Sequence, residues 1–420
     1  MCLTIPGRVI EKKNNLAIVQ NYNNEKKEIN LALLPEIEIG DWILHTVGNV
    51  VRKIEKDEAK QIIELLESQE ITDISKSSTD FQNIIKKVQT ETLNKQEIIY
   101  LLNCRDEESK ILRSEANVIR QENLKDFFCI HGIIEFSNHC NNNCLYCGLR
   151  RDNTELKRFR MTPDEIIKTA LESIKEKGYK LLVLQSGEDT FYSKEDLVKI
   201  IKKIKEKEQV FIFISIGERD YQTYKELKEA GANGVLFRFE STNRDHYNYL
   251  HPNQSYDKRF EHLKWFQELG YFIATGSIIG LPGQISDDIA DDILFFTKNK
   301  FPMASFGPFV PSQNTPLEKS EAGNTDLMLN VIATLRLLNK YAKIPVVTAH
   351  ETLDPTNGRK KALQSGANSL MFNLTPDKYR DSYRLYDDKY FKEEKIWEKY
   401  GLFNEPDSYE MLEKKLKENL

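Results

Sequence analysis

The sequence predicts an α/β fold: a TIM-type (β/α)8 barrel preceded by a small, OB-like β-barrel. Three observations carry that expectation. From residue 127 onward, short apolar runs alternate with longer stretches of helical periodicity, eight times over. Several of those helices open on readable caps. Before residue 70 the pattern differs, with short alternating runs divided by turns rich in Asn and Lys.

At 420 residues the chain has room for one large domain and a small one. With 40% hydrophobic and 30% charged residues and a formal net charge of −5, it reads as a water-soluble globular protein. Lys and Glu interleave along the helices, so this charge is a solvated face and calls for no nucleic acid and no membrane. Met1-Cys2-Leu3-Thr4 leads straight into a strand pattern and no apolar run reaches membrane-spanning length, so no signal peptide and a cytoplasmic location are expected. All six cysteines lie at or before Cys147. That excludes a disulfide scaffold and a second cysteine-ligated cluster in the C-terminal half.

Residues 1–70 read as one small β unit. Val9-Ile10, Leu16 to Val19, Ile29 to Leu34 and Trp42 to Leu44 are its strands, and Ala59, Ile62, Ile63 and Leu66 fall at helical spacing after them. Residues 71–79, rich in Ser and Thr, are expected to be a linker. Residues 80–390 form the large barrel, entered through helices between Phe81 and Asn123, one of them capped by Asn94 with Glu97. Residues 391–420 are expected to form a helical tail. Cys104 and Cys129 have no partner pattern and read as core thiols.

The barrel strands are expected at 128–136, 181–185, 210–216, 234–239, 272–277, 304–309, 345–348 and 369–372. Helices are expected near 163–177, 194–206, 220–230, 257–269, 286–299, 325–342 and 359–365. Thr162-Pro163-Asp164-Glu165 is a capping box with Pro at the first helical position. Such a barrel gathers its site at the C-terminal ends of its strands, and each polar motif below falls at one.

After the first strand comes Cys140-Asn-Asn-Asn-Cys144-Leu-Tyr146-Cys147. A structural zinc site closes with four ligands, and no Cys or His pair follows at zinc spacing. Three thiolates can instead hold three irons of a 4Fe-4S cluster and leave the fourth open to another ligand. The alternatives are a zinc knuckle or unrelated buried thiols.

Gln185-Ser186-Gly187-Glu188-Asp189 follows the second strand; its glycine permits close backbone approach and its carboxylate can accept from an ammonium. The fourth strand ends Arg238-Phe239-Glu240-Ser241, and Arg259 opens the next helix. These charges must pair with one another or with a zwitterion. Gly276 to Gly283, containing Ile279, is apolar and glycine-rich and suits a flat adenine better than a phosphate. Thr348 and His350 top the seventh strand, and Tyr379, Tyr383 and Tyr386 follow the eighth.

The Cys-x3-Cys-x2-Cys spacing with Tyr146 resembles the signature of radical S-adenosylmethionine (SAM) enzymes. In that family the SAM amino and carboxylate groups chelate the open iron, and electron transfer yields a 5′-deoxyadenosyl radical. Ile134-Glu135-Phe136-Ser137-Asn138, Gly148-Leu149-Arg150-Arg151-Asp152-Asn153, Arg160-Met161-Thr162-Pro163, Gln185 to Asp189, Gly280-Leu281-Pro282-Gly283-Gln284 and Gly307-Pro308-Phe309 extend the likeness to HydE, the radical SAM maturase family of FeFe-hydrogenase. This resemblance implies a 4Fe-4S cluster on Cys140, Cys144 and Cys147. It implies SAM contacts from Tyr146, Ser186, Gly187, Glu188, Arg238, Glu240, Arg259 and Ile279, and a substrate pocket among Thr348, His350, Tyr383 and Tyr386. The family's substrate is an iron–carbonyl–cyanide complex of cysteine, and a ferredoxin or flavodoxin is the expected reductant. Departures lie on the substrate side: Gly234 stands for the family's arginine, Phe239 for a histidine, His350 and Glu351 for methionine and glycine, and Leu374 for a tryptophan.

Met1-Cys2-Leu3-x-Ile5-Pro6-Gly7-Arg8-Val9-Ile10, Gly40-Asp41-Trp42-Ile43-Leu44 and Val47-Gly48 resemble HypC, a hydrogenase maturation chaperone family in which the cysteine corresponding to Cys2 helps carry an iron unit. The family's histidine falls at Thr46, with His45 one place earlier and so on the opposite strand face. The leading expectation is therefore a HydE-type enzyme fused to a HypC-like module, working with other hydrogenase maturation proteins. The alternatives are a mutase of the methylornithine synthase type and a non-catalytic assembly scaffold.

Overall fold

Alternating apolar residues build five short strands first: β1 (Ile5–Lys13), β2 (Leu16–Asn21), β3 (Lys26–Asn30), β4 (Trp42–Thr46) and β5 (Asn49–Ile54). The structure is a computed structural model that describes residues 5–387 and 389, apart from 22–23, 33, 47–48, 58, 61–62, 64–72, 89 and 125–128. Cys2, Val47, Gly48, Ile62, Leu66, residues 71–72 and the expected 391–420 tail lie outside the described residues.

The five strands close into a barrel in the order β1-β2-β3-β5-β4, with β3 and β5 parallel and the other pairs antiparallel, as in OB-type barrels. One face of each strand fills it: Val9, Ala17, Val19, Ile29, Ile43 and Val50 are buried together. His45 points inward as well, its Nε2 2.6 Å from Asn21 Oδ1, and burial lowers its pKa to about 4. Leu44, Ile54 and Ala59 share one buried cluster with Phe81, Ile84 and Ile85 of the helix Thr79–Val88. The small barrel is thus packed onto the large one's entry helices. The described part of the expected linker is tied down too, since Asp73 caps the turn Ile74–Lys76 and Ser78 bonds Tyr100 and Glu108.

The second barrel takes β6 (Cys129–Ser137), β7 (Leu181–Ser186), β8 (Phe211–Ser215), β9 (Gly234–Leu236), β10 (Phe272–Thr275), β12 (Met303–Ala304), β14 (Pro345–Val346) and β15 (Ser369–Asn373). They pair in parallel in chain order, β15 returns to β6, and a parallel bridge from Met303 to Lys343 spans the gap between β12 and β14. Above β10 and β12, β11 (Ile278–Ile279) and β13 (Gly307–Pro308) make a separate two-stranded rim. Cys129, Leu181, Val183, Phe211, Phe213, Phe272 and Met303 plug the lower interior. A Cβ on Gly234 would stand 2.5 Å from the Phe213 ring, so the aromatic plug occupies the space a larger residue would need.

All eight expected strands form, and the sites of difference are informative. The fourth, sixth and seventh strands stop early, at Leu236, Ala304 and Val346; beyond them Glu240 turns the backbone to φ +68, Gly307–Pro308 joins the separate rim, and Thr348–Leu353 is a helix. A second unanticipated helix, Arg244–Leu250, is capped by the Asn243 side chain, which accepts from the Asp245 and His246 amides. The helix Pro163–Lys175 carries the expected box, Thr162 and Glu165 each satisfying the other's amide. Thr162→Ala is expected to lower stability by about 1 kcal/mol in urea unfolding without moving the cavity.

Candidate active site

Between Ser137 and Asn153 the backbone is irregular, and one side chain holds its shape. Arg158 Nη1 donates to the carbonyls of Asn138 and Leu149 at 2.6 and 2.9 Å, and Nη2 to those of Arg150 and Asn153 at 2.6 and 3.1 Å. Asn138 adds three bonds of its own, accepting from the Phe159 amide and donating to the Lys157 and Ser382 carbonyls. Gly148 and Gly187 let neighbours come close: a Cβ on the first would meet Arg384 O at 2.3 Å, and on the second His139 O at 2.2 Å.

The loop delivers Cys144, Tyr146 and Cys147 to the wall of a cavity of about 320 Å3 at the C-terminal ends of the strands. Cys140 lies beside it, its sulfur accepting from the Glu188 amide at 3.4 Å, while Cys144 accepts from Gln254 Nε2 at 3.2 Å. Burial, then the charge of the neighbouring thiols, pushes Cys144 up to about 12 and Cys147 higher still. Such thiols ionise only next to strong positive charge, which iron would supply. Among the described residues no three His, Cys, Asp or Glu side chains gather tightly around one ion, and Cys104 and Cys129 lie elsewhere in the core. Three soft donors from one loop suit an iron–sulfur cluster with one iron left open.

Across the cavity the charges are arranged for a zwitterion. Glu240, held in its left-handed conformation by bonds to Gly276 and Ile278, lies 3.3 Å from Arg238, yet Arg238 Nε and Glu240 Oε2 are both buried without a hydrogen bond. A strained residue with a buried carboxylate oxygen that lacks a hydrogen bond is a candidate ligand contact. Arg259 lies flat on Phe237, 4.2 Å from its centroid, and reaches Tyr247, Gln254 and Glu218. Burial alone would lower its pKa, but Tyr247 and Glu218 raise it. Tyr146 is fixed by its hydroxyl, 2.9 Å from His251 Nε2.

Ser186, Arg238, Glu240, Arg259, Thr348, Tyr383 and Tyr386 line the cavity with Cys144, Tyr146 and Cys147. Cys140 and four other expected positions do not. Ile279 is fully buried on the other face of β11, and Ile278 takes the lining role, one residue being one face. His350 sits inside the helix Thr348–Leu353 against Gly358, buried, and burial lowers its pKa to about 4. Gly187 packs against the cysteine loop, where a Cβ would meet His139 and Cys140. Glu188 stands behind Gly217, one carboxylate oxygen accepting from the Glu218 amide at 2.8 Å. The sequence reading missed Arg158, Gln254, Glu218 and His251, and also Glu135 and Lys389, which both line the cavity. Gly307-Pro308-Phe309 does contribute its Pro308 and Phe309 to the apolar wall.

Residues 134–296 match the Radical SAM superfamily model, and residues 1–66 match the HupF/HypC family model. A [FeFe] hydrogenase maturase subunit HydE from Thermotoga maritima is 44% identical over 274 residues, 65% of this chain and 78% of that one. The chain belongs to the HydE family of radical SAM enzymes. As in other radical SAM enzymes, its cofactors are a 4Fe-4S cluster and SAM. The HydE-type barrel also has wider kin: a 3-methylornithine synthase from Methanosarcina acetivorans is 28% identical over 67% of this chain and 79% of that one. The crystal structure of methylornithine synthase (PylB) shares the fold at a TM-score of 0.68 and 24% identity, covering 78% of this chain and 99% of that one.

Arg158→Met removes four donors to loop carbonyls; anaerobically reconstituted protein is expected to retain less than half the wild-type iron and labile sulfide, while circular dichroism stays unchanged. A pH effect comes from the turn behind Glu240. Asp292 accepts from the Thr242 amide and hydroxyl at 2.7 and 2.6 Å, and burial raises its pKa from 3.8 to about 7. The folded carboxyl keeps its proton where the unfolded one has lost it, so stability falls as pH rises from about 4 to 7. Asp292→Asn is expected to flatten that decline in urea titrations at pH 5 and pH 7.5.

Proposed function

We propose that this enzyme acts on a small iron complex bearing carbon monoxide, cyanide and cysteine during assembly of a hydrogenase metal centre. The observation that carries the reading is one cavity with Cys144 and Cys147 on one wall, Cys140 beside it, and on the other a strained Glu240 whose Oε2 lacks a hydrogen bond beside Arg238.

In this reading Cys140, Cys144 and Cys147 hold the cluster. Bound there, it supplies the electron that cleaves the SAM sulfonium. Glu240 and Arg259 orient SAM through its ribose and carboxylate, Ser186 meets its amino group, and Ile278 with Phe309 forms the apolar wall beside the adenine. Tyr146, tied to His251, keeps the cysteine loop seated over that wall. Thr348, Tyr383 and Tyr386 face the substrate. Leu385 and Tyr386 add apolar surface to the cavity wall.

Residues 1–70 would act as a carrier or docking module with Cys2 as the iron-carrying residue, tethered to the 80–390 barrel at high effective concentration. A ferredoxin or flavodoxin would deliver the electron, other maturation proteins would receive the product, and the chain would work in the cytoplasm. The 28% identity to a 3-methylornithine synthase supports a second reading, a carbon-skeleton mutase.

With dithionite and SAM under anaerobic conditions, the reconstituted enzyme is expected to release 5′-deoxyadenosine, and Cys144→Ala to release none above background. Glu240→Gln should raise the KM for SAM at least tenfold. An iron–carbonyl–cyanide–cysteine complex should be consumed; consumption of an amino acid in its place would favour the mutase. Cys2→Ala should slow only transfer of the complex.

A further inference from the structure

Among the described residues, five charged side chains line the cavity, and they form two separate groups. Arg238, Glu240 and Arg259 stand at the end of β9 and on the helix Tyr256–Glu268. Glu135 and Lys389 stand on the other side of the ring, Glu135 on β6 and Lys389 on the segment that follows β15. β15 is four strands from β9 in the ring of eight. The first group already serves SAM in the reading above, and the second has no assigned task.

The second group is a built site. Glu135 is 2% exposed and Lys389 6%, and they form a direct ion pair. Glu135 Oε2 also accepts from Asn373 Nδ2 at 2.8 Å, and its amide donates to Thr375 Oγ1 at 2.8 Å. Thr375 in turn donates its amide to Asn373 Oδ1 at 2.9 Å, closing a small network that fixes the carboxylate. Lys389 lies over the Tyr383 ring, 4.9 Å from its centroid.

A buried ion pair rarely stabilises a fold more than apolar residues of the same size would. In the wall of a cavity it can do something apolar residues cannot. A zwitterion entering between the two ions keeps every buried charge paired, its carboxylate taking Lys389 and its ammonium taking Glu135. Resting on the proposed function, we infer that Glu135 and Lys389 form the subsite for the α-amino-acid part of the substrate. They are specificity-determining residues, distinct from the groups that hold SAM.

The test is isothermal titration of cluster-loaded, SAM-bound enzyme with L-cysteine, cysteamine and 3-mercaptopropionate, the last two lacking the carboxylate and the amine respectively. Wild type should bind L-cysteine at least tenfold more tightly than either analogue. Lys389→Met should abolish the preference over cysteamine, and Glu135→Gln the preference over 3-mercaptopropionate. Equal binding of all three by wild type would overturn the inference, and that outcome does not depend on any variant folding. Parallel loss of all three ligands in both variants would overturn it too, since a merely structural pair behaves that way. Failure to form 5′-deoxyadenosine from SAM is a different result and would count against the proposed function.

Discussion

The site depends on four carbonyls being held by one guanidinium. A loop that must gather three cysteines at and beside a cavity is neither helix nor strand here, so its backbone acceptors lack the partners secondary structure gives. Arg158 supplies them from within, with a planar fork that can reach two acceptors on each side. Charge-assisted bonds of this kind are stronger than neutral ones, and losing them would leave buried carbonyls unsatisfied. Gly148 and Gly187 complete the seat by letting the 384–385 and 139–140 backbones approach where a Cβ would collide.

The opposite wall works by the reverse principle. There the polar groups are left incomplete. Glu240 adopts a conformation that costs about 1–2 kcal/mol for a residue with a Cβ, and the bonds on either side of it enforce that conformation. What the turn gains is a carboxylate aimed into the cavity beside Arg238. One wall is rigid and satisfied, the other strained and unsatisfied, and the space between them is apolar. Binding of a charged ligand between such walls requires little rearrangement.

Much of this was legible in the sequence. The eight strands were readable because each is a short apolar run between stretches of helical periodicity, several of which open on a cap, as at Thr162. The cysteine loop, Arg238 and Glu240 were readable because they follow strand ends, where a barrel collects polar groups, and Arg259 because it stands in the first turn of the next helix. Arg158 was not, since its meaning lies in four carbonyls that only the folded loop brings together. Gln254, Glu218 and Lys389 escaped for the same reason: each matters through a partner distant in sequence, Cys144, Arg259 and Glu135. Ile278 lines the cavity and Ile279 does not, because one residue in a strand is the other face. His350 was misplaced because nothing in Val347-Thr348-Ala349 announces a helix, and the structure shows that helix starting without a side-chain cap.

The central claim is an incomplete donor set: three sulfurs of the chain and one metal corner left for a small zwitterion. Hyperfine spectroscopy of the reduced, reconstituted protein with SAM labelled by nitrogen-15 in the amine and oxygen-17 in the carboxylate tests it directly. Coupling of both labels to the cluster spin is the predicted result. Absence of either coupling, or a fourth ligand contributed by the protein, would contradict it.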